Sequence, residues 1–224
     1  MRMPRLITGL VAAGLLGVTP FAVGAPAQAT AVVPTASAIA VDEPLVSYGD
    51  EVSITASVKE PDGSSVYDGT VALQVSTAAA PAWTTVATDD ASGYIYFNDI
   101  KPTANASYKL VYSGYTAQST YQDTYVASES TPVTVGVSRA IKAKTPGLRV
   151  VGKVTPDYKK GKVKVFRKVG KKYKPFKTVK TDKKSKFSVK LPAAKRGKKL
   201  FFRLYIPADA SFTATVDDYY TYSY

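Results

Sequence analysis

Any proton transfer by this chain must run through carboxylates, lysine amines or tyrosine hydroxyls, because its 224 residues include neither histidine nor cysteine. Neighbouring acids stand at Asp42-Glu43, Asp50-Glu51, Asp89-Asp90 and Asp217-Asp218. Adjacent residues of a strand point to opposite faces, so such a pair matches poorly two carboxylates flanking one scissile bond. The chain also lacks Gly-x-Ser-x-Gly, Ser-x-x-Lys and a phosphate-cradling glycine loop. No catalytic residue and no enzymatic activity are therefore expected. The same acids offer oxygens to a hard cation, yet no Asp-x-Asp-x-Asp-Gly loop is complete, and a turn aspartate commonly bonds its own backbone. Neither a metal site nor a cofactor is expected.

Lysine is the residue in chemical excess. The stretch from Lys160 to Lys190, KGKVKVFRKVGKKYKPFKTVKTDKKSKFSVK, is nearly half Lys and Arg and contains one acid, Asp182. Candidate polyanion contacts are Lys160, Lys162, Lys164, Lys168, Lys171, Lys172, Lys174, Lys177, Lys180, Lys183, Lys184 and Lys186, flanked by Lys159 and Lys190. Lysines also discourage edge-to-edge pairing of strands, but solubility needs a net charge of only about 2 to 8 on a small domain. An ammonium acts as a point charge, whereas a guanidinium reads phosphate or base edges bidentately. The aromatic residues here alternate towards a core, which leaves no base-stacking platform. The expected partner is an anionic cell-wall polymer, such as a teichoic-type glycopolymer, or an anionic membrane surface, with no sequence-specific nucleic acid.

Tyrosines form the other concentration. Strands favour aromatic side chains for packing, which accounts for most of the 16. The stretch Tyr112-Ser113-Gly114-Tyr115-Thr116-Ala117-Gln118-Ser119-Thr120-Tyr121 is richer in Tyr, Ser and Gly than packing requires and has a paratope-like composition. Tyr112, Tyr115 and Tyr121 are the candidate contacts of a partner loop that recognises a sugar or a protein.

These residues need elements to hold them. Val163 and Val165 flank Lys164, and Phe187 and Val189 flank Ser188. That is the two-residue period of strands with one buried face. A disordered tail lacks the aromatic and β-branched residues that recur here, so the basic stretch reads as three consecutive strands. In the first half, strands are predicted near Ala36 to Val41, Glu51 to Val58, Thr70 to Ser76, Trp83 to Thr88, Tyr94 to Phe97, Ser107 to Ser113 and Thr131 to Val137, separated by turns such as Pro61-Asp62-Gly63. Short strands at that spacing in about 100 residues indicate an immunoglobulin-like sandwich.

Charge divides the chain in two. From Thr30 to Ser138 there are 3 Lys/Arg against 12 Asp/Glu, a net of −9; from Arg139 onward there are 25 Lys/Arg against 5 Asp, a net of +20. The halves also repeat one pattern. Gly69-Thr70-Val71-Ala72-Leu73 matches Gly161-Lys162-Val163-Lys164-Val165, Trp83 to Asp89 matches Phe176 to Asp182, and Tyr108-Lys109-Leu110 matches Phe202-Arg203-Leu204. The fold class expected is all-β, with two tandem immunoglobulin-like β-sandwiches: an acidic one over 30–137 and a strongly basic one over 138–224.

Val154-Thr155-Pro156, Gly161 to Val165, Phe176 to Asp182 and Phe187-Ser188-Val189 with Leu191-Pro192 form a series similar to bacterial immunoglobulin-like repeats of secreted, actinobacterial-type proteins. The pattern departs at Lys186, where the first copy has the turn glycine Gly93, and at Tyr173 and Phe176, where an indole is common. What the resemblance implies is a surface or secreted module used for binding, spacing or presentation.

Residues 1–29 have the form of a signal peptide. Arg2 and Arg5 precede the apolar run from Leu6 to Val18, and Ala27-Gln28-Ala29 has the small-x-small form of a cleavage site after Ala29. The run is shorter than the roughly 20 residues that cross a bilayer. The absence of cysteine leans towards bacterial export. Together these features predict a secreted, cell-wall-associated, non-enzymatic binding or adhesion protein whose basic domain meets envelope polyanions. Two alternatives are self-association head to tail through oppositely charged domains, and a secreted inhibitor or effector that binds a protein through the tyrosine-rich loop.

Overall fold

The computed structural model describes residues 31–193 and 196–222, so the signal peptide expected over 1–29 lies outside the described residues. Every regular element described is a strand. In chain order these are β1 (Val32–Val33), β2 (Ala36–Val41), β3 (Leu45–Ser47), β4 (Val52–Lys59), β5 (Thr70–Thr77), β6 (Thr84–Asp90), β7 (Ile95–Ile100), β8 (Ala106–Tyr112), β9 (Thr124–Tyr125), β10 (Ser128–Glu129) and β11 (Val133–Ser138). The second half adds β12 (Ala140–Lys144), β13 (Arg149–Thr155), β14 (Lys162–Val169), β15 (Lys172–Lys180), β16 (Lys186–Lys190), β17 (Lys199–Ile206) and β18 (Thr215–Tyr222).

The strand order occurs twice. In the first half, β2-β4-β7 makes one sheet and β3-β11-β8-β5-β6 the other; in the second, β12-β13-β16 faces β15-β14-β17-β18. This is a tandem pair of immunoglobulin-like sandwiches. Alternation explains the inner faces: Val52, Ile54, Ala56 and Val58 of β4 are buried, as are Val163 and Val165 of β14 and Phe187 and Val189 of β16. One core gathers Ile54, Leu73, Ile95, Leu110 and Val135; the other gathers Val150, Val165, Val189, Phe202 and Leu204. Each such side chain stabilises the fold by about 1.5–3 kcal/mol. Without a disulfide, these cores offset the chain entropy.

All seven strands predicted in the first half are present, β2 with the predicted bounds and the others with ends shifted by at most three residues, and the basic stretch forms β14, β15 and β16. The four strands without a sequence signal, β1, β3, β9 and β10, are two or three residues long, too short for alternation to show, and are held by backbone pairing, with Val46 of β3 also buried in the first core. β3, for example, lies parallel to β11 through Val46↔Val137.

The two sandwiches share a joint. The β17–β18 connection returns to the first sandwich, where Phe212 joins its core and meets Tyr48 edge to face. The Asn105 amide donates to the Ser211 carbonyl at 2.8 Å and the Thr213 amide to the Val137 carbonyl at 2.8 Å. Arg139, buried between β11 and β12, places its guanidinium 4.0 Å from the Phe212 ring centroid and 4.8 Å from that of Tyr158. Its Nη1 also donates to Asp209 at 2.9 Å.

Candidate polyanion interface

The twelve candidate lysines are all exposed, but they do not form one wall. Lys162, Lys164 and Lys168 of β14, with Lys180 of β15, project from the outer face of the four-stranded sheet, as the pairs Lys162↔Lys180 and Lys164↔Tyr205 require. Lys172, Lys174 and Lys177 lie on β15, one of the two edge strands of that sheet. Lys171 sits in the β14–β15 turn beside Gly170, whose φ of 61° is open to glycine at little cost. Lys160, also left-handed at φ 57°, precedes β14, while Lys183 and Lys184 occupy the turn after β15. Lys186 lies on the opposite sheet, in register with Lys153, which is in turn opposite Lys142.

That last row identifies cations outside the basic stretch. Lys142, Lys144, Lys153 and Lys186, with Val151, Gly152 and Ser188, line an open groove of about 690 Å³ on the three-stranded side, bordered by Lys180 at the end of β15. Its one carboxylate, Asp182, is already engaged: Oδ1 accepts from the amides of Lys184 at 2.7 Å and Lys186 at 2.9 Å. Those bonds, the Lys186 amide foremost, together with the charges of Lys186 and Lys184, hold its pKa below the usual carboxylate value. The strand register was the available sequence signal, since Lys142, Lys144 and Lys153 alternate on β12 and β13 as Lys162 and Lys164 do on β14.

Strand direction orders the charges along the basic sandwich. β12, β14, β16 and β18 start at the joint with the first sandwich, and β13, β15 and β17 end there. Asp157, Asp182 and Asp209 therefore lie in connections at the joint, and Asp217 and Asp218 lie early in β18. The far end carries Lys144, Arg149, Lys171, Lys172, Lys190, Arg196, Lys198 and Lys199, and no carboxylate among the described residues.

The aromatic residues differ from the sequence expectation. Phe166, Tyr205, Phe201 and Tyr220 do not point to the core; they share the outer face of the four-stranded sheet. Phe201 is 42% exposed and Tyr220 52%. A bulge at Phe176, opposite Val165 and Phe166, turns that ring partly outward while it still meets Phe202 edge to face. In the second copy the left-handed residue of this turn is Ser185, φ 60°, whereas neither Lys186 nor Gly93 of the first copy has a positive φ.

The tyrosine loop also divides. Tyr112 is wholly buried, and its hydroxyl donates to the Asp68 carbonyl at 2.7 Å, so it is a core residue and not a loop contact. Burial, with the negative charge of Asp68, pushes its phenol up to about 12. Tyr115 is half-buried and exchanges backbone hydrogen bonds with Tyr125, and β9 pairs with β1, which together pin the loop. Tyr121 stands at its tip, 97% exposed.

No family model and no curated protein sequence matches the chain. Solved structures do resemble it in fold. The alpha chain of the chicken interferon gamma receptor is similar at 10% identity over 85% of this chain and 98% of its own, with a TM-score of 0.45. A segment of two fibronectin type III domains from chicken tenascin is similar at 11% identity over 82% of this chain and 97% of its own, TM-score 0.42. A tetra-tandem repeat from the extending region of a large adhesion protein shares 12% identity over 84% of this chain and 50% of its own, TM-score 0.35. These are likenesses of fold; the immunoglobulin-like class rests on the strand order itself.

Proposed function

We propose that this chain is an exported, non-enzymatic binding protein of bacterial immunoglobulin-like type, whose basic sandwich associates electrostatically with anionic cell-envelope polymers. The observation that carries this is the order of charge along the molecule: an acidic sandwich, then carboxylates at the joint, then a far end whose charged side chains, among the described residues, are all cationic. A polyanionic surface attracts that far end and repels the acidic sandwich, which the Arg139–Phe212 joint holds on the other side. Lysine suits the task, because neutralising phosphates and releasing their counterions needs charge more than geometry.

The test is binding of the chain from Thr30 onward to purified cell walls, with and without their anionic polymers, across a salt series. Binding that falls steeply with salt and with polymer removal supports envelope docking. Absence of binding at low salt reduces the lysines to a solubility device and overturns it. The same charge order favours one competing arrangement, in which the acidic end of one molecule meets the basic end of the next. Light scattering that stays monomeric at low salt excludes that arrangement. The fully exposed Tyr121, on a loop pinned by β1, is the place to look for a protein partner if the lysines prove passive.

A further inference from the structure

We infer that the outer face of β15-β14-β17-β18 is a stacking platform for single-stranded nucleic acid. Strand register places Phe166 beside Arg203, Phe201 opposite Tyr220, and Tyr205 opposite Lys164. Phe166 meets Tyr205 at a centroid distance of 6.3 Å, and Phe201 meets Tyr220 at 6.0 Å. Burial in the sandwich does not explain these rings, because the opposite face of the same strands, with Val165, Phe202 and Leu204, makes the core.

Cations are placed among the rings. Lys199 Nζ lies 4.5 Å from the Tyr220 centroid, Lys168 Nζ 5.4 Å from that of Phe201, and Lys164 Nζ 5.6 Å from that of Tyr205. Every aromatic pair thus has an ammonium within reach of a phosphate attached to a base that stacks there. Bases stack on Phe and Tyr whatever their identity, while ammonium groups follow the backbone, which is the chemistry of sequence-tolerant single-strand binding. A saccharide fits less well. Its hydroxyls need acceptors, and among the described residues the carboxylate on this face is Asp218, already bonded to Arg203 at 2.8 and 2.9 Å. A duplex fits less well too, since its bases are stacked on one another.

The test uses fluorescence anisotropy of the chain from Thr30 onward with a labelled oligothymidylate, with inorganic polyphosphate and duplex DNA as competitors. Phe201→Ala combined with Tyr220→Ala, both at exposed positions, is expected to weaken oligothymidylate binding about ten-fold or more. Polyphosphate binding and the salt slope are expected to stay unchanged, and Phe201→Tyr with Tyr220→Phe to keep the affinity. Equal losses for oligothymidylate and polyphosphate, or no loss for either, overturn the platform. Failure of the unaltered chain to bind polyphosphate would instead strike at polyanion docking, so the two failures are distinguishable.

Discussion

The guanidinium of Arg139 lies 4.0 Å from the ring centroid of Phe212, a residue 73 positions further along the chain that is packed into the other sandwich's core. This contact joins two folding units that sequence alone separates by charge. The rings hold Arg139 more than its ion pair does, because Asp209 is 44% exposed and solvent screens it, while the guanidinium is only 8% exposed. Partial burial tends to raise the pKa of Asp209, but the amides of Ser211 and Phe212 and the charge of Arg139 outweigh it and leave that pKa lowered.

Phe212→Ala should therefore cost about 3 kcal/mol, the lower range for losing a buried phenylalanine. Chemical denaturation should show one coupled transition for the parent and two separated transitions for the variant, and limited proteolysis of the variant should cut between Val137 and Ile141. A single unchanged transition would mean that the joint adds nothing to stability.

Gly152→Ala tests the three-stranded side. A Cβ there would stand 2.7 Å from two atoms of the buried Phe187 ring and 3.2 Å from Cβ of Ala143. The ring has no flexible end to move aside, so the expected loss is about 1–3 kcal/mol. The urea midpoint measures it, and near-neutrality would show that the ring can tilt.

Asp218→Asn should strengthen polyanion binding. The substitution removes a negative charge from the outer face of the four-stranded sheet and releases Arg203 from its bidentate bond. The slope of log affinity against log salt should steepen by about 1 for each additional phosphate neutralised. An unchanged affinity would place the polyanion on the groove lined by Lys142, Lys153 and Lys186 instead.

Stability should be flat from about pH 5 to about pH 8, where the missing histidine would titrate. Asp182, Asp209 and Asp218 all have lowered pKa values, the last chiefly through its Arg203 bond. A carboxylate depressed in the fold stabilises it above the unfolded pKa of about 3.9 and loses that contribution as the pH falls through the folded value. Urea midpoints should hold at pH 5 and decline below about pH 4. At the alkaline end Tyr112, raised to about 12, keeps its proton while an unfolded tyrosine loses one near 10. Its contribution is thus complete below about pH 10 and lost towards 12, and Tyr112→Phe should remove that part of the alkaline decline, visible in phenolate absorbance.

Much of the fold was legible because burial of one strand face imposes a two-residue period, and Val163, Val165, Phe187 and Val189 carry it plainly. The charge division between the halves was equally plain, since composition needs no geometry. The repeat of strand order followed from the same periodicity seen twice. What alternation does not reveal is which sheet a strand joins and which face is inner once a bulge intervenes. Phe201 and Tyr220 look like core residues by type, yet register with Phe202 and Leu204 turns them outward, and Tyr112 looks like a loop contact until the sandwich closes over it. The Arg139–Phe212 joint, the row of Lys142, Lys153 and Lys186, and the cationic far end bring together residues distant in sequence. Only tertiary structure could decide these, because hydrophobic burial selects a face locally while strand pairing and loop return select neighbours globally.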